Sequence, residues 1–417
     1  MRCNLWVNKV VVLFVLTSLL GNLGTQICAQ TFEFLYSKTP SGGTLVLKKG
    51  IYPLHDFIIH KPITIRGENG AIIDGENKGE ILIIDTCQVT LENLDLRNTK
   101  RGYMNDFAAI RASKTHHVSI LNCKFANDFF GIYFSEVDSS IIKGNEIVGF
   151  SNEGNCGDGI HLWYSDYIHL ENNRIIKHRD GMYFEFAKRS FILNNYTEGN
   201  QRYGLHFMFS DDDTFVNNTF FKNGTGVAVM YSKRITMLQN NFEENWGGAT
   251  YGMLCKDITD SKIHHNRYVK NTTAVYMEGC SRIKADSNEF KSNGWALKLL
   301  ANCEDVEFEQ NNFVNNSFDV STNGTLFLNK LNHNYWEKYK GYDLNKDNIG
   351  DVPFRPVSMY SMMIEQMPYV IMLMRSLIIE LLDTAERSIP SLTPENIKDN
   401  QPLMHELIFD DRTKKPA

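Results

Sequence analysis

The chain has 417 residues and 42% of them are hydrophobic, enough to bury a sizeable core and too many for a chain disordered throughout. A net charge of −6 gives no basic footprint of the kind a phosphate backbone selects, so nucleic acid is set aside as a partner.

Residues 1–29 carry Arg2 and Lys9, an apolar run from Val10 to Leu23, and small residues ending at Ala29. Basic, then apolar, then small is the order of a cleaved secretory signal, and the apolar run is short for a membrane span. Cys28 does not read as a lipidation site, because Gln26 and Ile27 are not the small residues that should precede one. Export to an extracytoplasmic space is expected. Six cysteines remain beyond the signal, at 87, 123, 156, 255, 280 and 303, with no close CxxC pair. That spacing gives no zinc or redox motif; most read as small buried hydrophobes, and Cys280 with Cys303 is the pair to test for a disulfide.

Residues 30–325 read as a single repeat architecture. The segments AAIRAS, GIYFSE, GIHLWY, GMYFEF, GLHFMF, GVAVMY, GMLCKD, AVYMEG and ALKLLA, the first aligned through its second alanine, start at 109, 131, 159, 181, 204, 226, 252, 274 and 296, mostly 22 or 23 residues apart. So short a period belongs to a solenoid. Fourteen residues after each start stand Cys123, Asn145, Asn173, Asn195, Asn218, Asn240, Asn266, Asn288 and Gln310, and five further on a second column holds Asn200, Asn223, Asn245, Asn271, Asn293 and Asn315. Asparagines stacked about 4.8 Å apart can bond along the axis, and Asn tolerates the left-handed turn conformation that tight coils need. Phe125, Phe220, Phe242, Tyr268 and Phe290 form an aromatic column between them. The fold class expected is all-β: a right-handed parallel β-helix of about 22-residue rungs, with a helical tail at its C-terminal end.

Period-two alternation sorts each strand. In GIHLWY, Ile160 and Leu162 point inward, so His161 and Trp163 point out; in GLHFMF, Leu205 and Phe207 point inward, so His206 and Met208 point out. The same outward positions hold Tyr183 and Glu185, Ala228 and Met230, Leu254 and Lys256, and Tyr276 and Glu278 on other rungs. His161, His206, Met208 and Met230 therefore share one external stripe. Thioether and imidazole are soft and borderline ligands that suit Cu(I), which makes these four the candidate metal residues. The same stripe also reads as an exposed docking face with aromatic partners.

The runs GDGIHLWYS, RDGMYFEF, RYGLHFMFSDDD, GVAVMYS, NWGGATYGML, YMEG, NGWAL and FDVSTN resemble NosD, the periplasmic maturation family for nitrous oxide reductase, and the resemblance extends from about residue 35 onward. It implies a non-enzymatic β-helical subunit that works with an ABC transporter permease and ATPase and a copper chaperone. Together these assemble the copper centres of nitrous oxide reductase outside the cytoplasm. The chain has no GxxxxGK[ST] phosphate loop, in keeping with ATP hydrolysis by a partner. The resemblance implies a role and transient Cu(I), and no ligand set.

Residues 326–357 form a cap region in which Asp343, Asn345, Asp347 and Asp351 fall at spacings 1, 3, 5 and 9, with Ile349 placed to offer a carbonyl. This is the start of a calcium loop; Asn348 stands in place of the turn glycine and Phe354 in place of the closing Glu, so a solvated Asx-rich turn is the competing reading. Residues 358–417 are Met-rich and apolar, break at Pro368, and then read as helix from Val370 to Ser388 before Pro390. Arg375, Glu380, Asp383 and Glu386 make this an amphipathic helix rather than a lone membrane span, suited to docking on the permease or the membrane surface. An enzyme of a different class, a polysaccharide lyase or epimerase working along the outward stripe, would use Glu185, Glu278 and Lys256 as acid, base or neutraliser.

Overall fold

A stretch of two or three in-register β residues cannot bury its apolar face alone, and this chain solves the problem by stacking the same short stretches turn upon turn. The computed structural model describes residues 32–102, 105–150, 156–324, 328–389 and 397–409; the expected signal sequence, residues 1–29, lies outside them. The fold is a right-handed parallel β-solenoid of about 12 turns with rungs of about 23 residues. Each turn carries three short strands that join three parallel sheets.

The chain divides into two units, residues 1–160 and 161–417. The first unit opens with a helix over residues 32–38 (α1), whose Phe32 and Tyr36 rings each lie 5.0 Å edge-on from Phe57. Its sheets begin with Thr44–Leu47, Gly50–Pro53 and Phe57–Ile59, each pairing in parallel with its counterpart one turn later. The second unit continues this plan until the strands Phe318–Ser321, Lys330–Asn332 and Tyr335–Trp336, so strand pairing extends past residue 325.

Inside the second unit the aromatic column is continuous: Phe220, Phe242, Tyr268, Phe290, Phe313 and Trp336 stack with centroids 4.1–5.1 Å apart. The asparagine column is equally regular. Asn218 Oδ1 accepts from the backbone N–H and the Nδ2 of Asn195, while its own Nδ2 donates to Ile192 O one turn back and to Asn240 Oδ1 one turn on. A buried amide is thus satisfied on every lone pair and proton it presents.

Two parts of the expected column are corrected. Its ninth member is Asn311, not Gln310, and the second column passes from Asn293 to Asn316, not Asn315. An extra residue in the turn at Ala301 and Asn302 shifts both by one. The left-handed conformation also belongs to the residue before each ladder asparagine, as in Asn172, Asn194 and Asn217 at φ +55°, +55° and +53°, and not to the ladder residues themselves. The rung-start glycines serve close approach: a Cβ on Gly204 would lie 2.7 Å from Gly226 O, and one on Gly226 would lie 2.4 Å from Gly252 O. All six cysteines among the described residues are thiols, Cys280 and Cys303 included; Cys303 Sγ accepts the Cys280 backbone N–H in a turn column where Ser210 and Ser232 accept the equivalent bonds.

The helix predicted from Val370 to Ser388 is broken into a 3₁₀ piece and an α-helix, and a separate helix precedes both. Helix α2 (Met359–Gln366) is capped by Ser358, whose side chain accepts the Ser361 N–H, and it buries Tyr360 and Ile364 against Trp295 and Phe318. Lys298 Nζ pairs with Glu365 at 2.7 Å. A 3₁₀ helix, Pro368–Leu373, begins at Pro368, and Arg375 at φ +65° breaks the chain again before α3 (Leu377–Ser388). Residues 397–409 then return to the last rung. Buried Asp399 Oδ2 accepts from Asn334 N and Nδ2 and from Trp336 Nε1, closing the asparagine column with a carboxylate.

Replacing Asn240 with Leu strands the donors of Asn218 and leaves Phe215 O and Asn266 Oδ1 without its amide. Unpartnered buried groups cost about 1–3 kcal/mol. Urea unfolding of the variant should show a loss of that size; an unchanged midpoint would mean that the ladder does not hold the rungs.

Candidate metal-binding pocket

Strand register in the second unit builds two outward columns. Tyr183, His206, Ala228, Leu254 and Tyr276 are successive partners, and so are Glu185, Met208, Met230, Lys256 and Glu278. Ala228 is the one small residue in the first column, and beside His206 there is a cavity of about 240 Å³. Arg179, Asp180, Tyr183, Arg202, Tyr203, His206, Met208 and Met230 line it.

His206 was expected on an exposed face, and the structure corrects this: it points away from the core yet is only 5% exposed. The rings of Tyr183 and Tyr203 cover it at 4.7 and 4.5 Å. Neither ring nitrogen has a hydrogen-bond partner among the described residues. Asp180, itself 1% exposed, stands 3.6 Å from Nδ1, and Arg202 Nε stands 3.9 Å from the other carboxylate oxygen. Tyr183 Oη donates to Met208 Sδ at 3.6 Å. The cavity thus joins a buried imidazole, two thioethers, one carboxylate and two guanidinium groups.

Three of the four candidate residues meet here. His161 does not: its ring lies edge-on to Tyr183 at 4.9 Å, so that tyrosine separates it from His206, and it too is buried rather than exposed. Sequence reasoning missed Arg179, Asp180, Arg202 and Tyr203. The signal was present in the paired RDG and RYG, which set an arginine two residues before the rung-start glycine on consecutive turns. It also missed a row of stacked rings, Tyr164, Phe186, Phe209 and Tyr231, with centroids 4.6–5.2 Å apart. Each of these adopts φ of +46° to +54°, and Phe209 and Tyr231 directly follow Met208 and Met230.

The remaining candidates lie elsewhere. Lys256 Nζ pairs with Glu278 at 3.6 Å, and Glu185 is three rungs from Lys256, roughly 14 Å at the rung spacing. None of the three lines the cavity, so they form no compact acid–base site. In the cap, Asp343 accepts the backbone N–H groups of Lys346, Asp347 and Asn348, Asn345 bonds with Asp347, and Asp351 accepts from Leu344 N. Ile349 N–H donates to Asp347 Oδ1. The loop binds its own amides in an Asx-turn pattern. Among the described residues no three His, Cys, Asp or Glu side chains are grouped to hold a metal. Thiols offer little alternative: burial pushes the Cys123 thiol up to about 12 and the Cys255 thiol higher still.

The tail presents a separate surface. Tyr369 and Met372 are about 85% exposed, and Leu377, Ile378 and Leu381 are 60–70% exposed, beside the buried Ile379 that anchors α3. No described helix is long and apolar enough to cross a membrane.

Residues 150–349, which contain the whole pocket, match the family described as periplasmic copper-binding protein (NosD). A Pseudomonas aeruginosa protein named probable ABC transporter binding protein NosD is 31% identical over 402 residues, covering 90% of this chain and 91% of that one. The chain belongs to the NosD family. A Stutzerimonas stutzeri NosD of the same description is 30% identical over 370 residues, covering 84% of each chain. Among solved structures, the family 28 exopolygalacturonase of Yersinia enterocolitica aligns with a TM-score of 0.56 at 10% identity, over 76% of each chain. The catalytic domain of a GH87 α-1,3-glucanase aligns with 0.55 at 12%, over 70% of this chain and 65% of that one. Identities this low speak for a shared β-helix alone. NosD is a periplasmic family whose curated members are named for binding an ABC transporter.

Proposed function

We propose that this chain is a periplasmic docking subunit that holds Cu(I) in transit while an ABC transporter and a copper chaperone assemble the copper centres of nitrous oxide reductase. The observation that carries the reading is the convergence of His206, Met208 and Met230 in one cavity, with both His206 nitrogens unbonded among the described residues. Imidazole with two thioethers is a donor set for a soft monovalent ion. Asp180 beside Nδ1 favours the tautomer protonated there and leaves Nε2 as the donor, the usual arrangement behind a metal-binding histidine. All three donors are neutral, so they bind a cation without cancelling its charge, which suits release to a partner. The apolar ring row that borders Met208 and Met230 gives that partner a surface close to the ion.

Docking to the transporter falls to the tail. Between residues 359 and 389 four acidic residues face two basic ones, a balance that does not attract anionic lipid headgroups. An apolar protein surface, that of the permease, is the better match for exposed Met372, Leu377, Ile378 and Leu381, and it would hold the chain at the inner membrane.

Two measurements test these assignments. The Met208→Leu/Met230→Leu variant keeps apolar bulk and removes both sulfurs; it should lose Cu(I) in competition with a chromophoric chelator and yield copper-poor reductase, while still co-purifying with the transporter. Normal loading of the reductase by this variant would leave the stripe a docking face only. Conversely, changing Leu377, Ile378 and Leu381 to Ser should leave the thermal midpoint within a degree or two, since surface positions contribute little to stability, and abolish co-purification with the permease. Undiminished co-purification would remove the tail from the interface.

A further inference from the structure

We infer that Tyr183 is a positioning residue that controls release from the pocket: its hydroxyl parks the Met208 thioether, which must turn from it to grip Cu(I). This rests on the reading of His206, Met208 and Met230 as the Cu(I) donors.

The first ground is where the bond comes from. The order of strands in the sheet places Tyr183 one turn before Met208, and Met230 one turn after it. Tyr183 Oη donates to Met208 Sδ at 3.6 Å, so this sulfur is held from the turn opposite its partner thioether. An ion shared by Met208, Met230 and His206 draws on the electron density of the same sulfur, and a sulfur that turns toward Met230 gives up the bond. Methionine, with three rotatable bonds, makes such a turn without moving its strand. Hydroxyl and ion therefore compete for one sulfur, and the hydroxyl keeps its proton throughout.

The second ground is that the competitor is held in place and weak. The Tyr183 ring lies 4.9 Å from the ring of His161 and 4.7 Å from that of His206, contacts that do not depend on its hydroxyl. A thioether is a weak acceptor, so the bond can recapture the sulfur as the ion leaves without excluding the ion. Tyr203 supplies the contrast. Its ring covers His206 as closely, at 4.5 Å, but among the described residues it is Tyr183 that bonds the sulfur.

The test compares Tyr183→Phe, which keeps the ring and removes the hydroxyl, with Tyr203→Phe and the wild type, each as the full mature chain without oxygen. Affinity for Cu(I) is read by competition with a chromophoric chelator, and release by stopped-flow transfer to an excess of it. Tyr183→Phe should bind about fivefold tighter, equivalent to about 1 kcal/mol at roughly 1.4 kcal/mol per tenfold, the size of one net hydrogen bond. Its release should slow by about the same factor, because related complexes differ mainly in dissociation. Tyr203→Phe should match the wild type within about twofold. In wild-type chain with isotopically labelled methionine methyl groups, Cu(I) should shift the resonances of both Met208 and Met230. Unchanged or weaker binding by Tyr183→Phe, equal tightening by Tyr203→Phe, or a shift at Met230 without one at Met208 would each overturn this inference while leaving Cu(I) binding intact. No Cu(I) binding by the wild type would overturn both.

Discussion

One repeated hydrogen bond governs this molecule: an asparagine oxygen accepting two N–H donors from the turn before it, as Asn218 accepts from Asn195. It does more than satisfy a buried amide. Because each amide is bonded to the turn before and the turn after, the spacing and lateral register of the turns are fixed together, and residues aligned in sequence become neighbours in space. Met208 lies beside Met230 for this reason, and a site with donors from two strands can be specified by residues 22 positions apart. The aromatic column adds apolar burial to the same register.

Much of this was legible from spacing alone. The period, the inward and outward faces and the shared stripe of His206, Met208 and Met230 all follow from counting, because a solenoid converts sequence repeats directly into contacts. What counting could not supply was depth. That His206 is covered depends on the rings of Tyr183 and Tyr203 leaning over it, and that the cavity has guanidinium groups in its wall depends on Arg179 and Arg202 reaching it from the turns before the strands. The slip from Gln310 to Asn311 comes from one added residue in a turn, a change that a strict period hides. The break at Arg375 was invisible for a different reason: helical periodicity continues across it, and only the backbone reveals the left-handed residue.

The pocket and the cap loop illustrate two uses of polar groups. In the loop, the Asp343 carboxylate is occupied by backbone amides and stabilises a turn. At the pocket a buried histidine has no partner for its ring nitrogens among the described residues, which costs stability, and deformable sulfur is gathered beside it. Local strain of the same sort recurs in Phe209 and Tyr231, bulky residues held at positive φ next to the two methionines.

The closure of the asparagine column by Asp399 has a consequence for biogenesis. The last rung ends at Trp336, but the carboxylate that seals it arrives 63 residues later. During export or refolding, the final strands would therefore stand with bare N–H and C=O groups until the segment around Asp399 folds back over them. An uncovered parallel edge is a template for another copy of the same chain. The interval between forming the last turn and sealing it is thus the period in which end-to-end polymerisation competes with maturation, and a slower return of that segment would favour fibrous by-products over monomer.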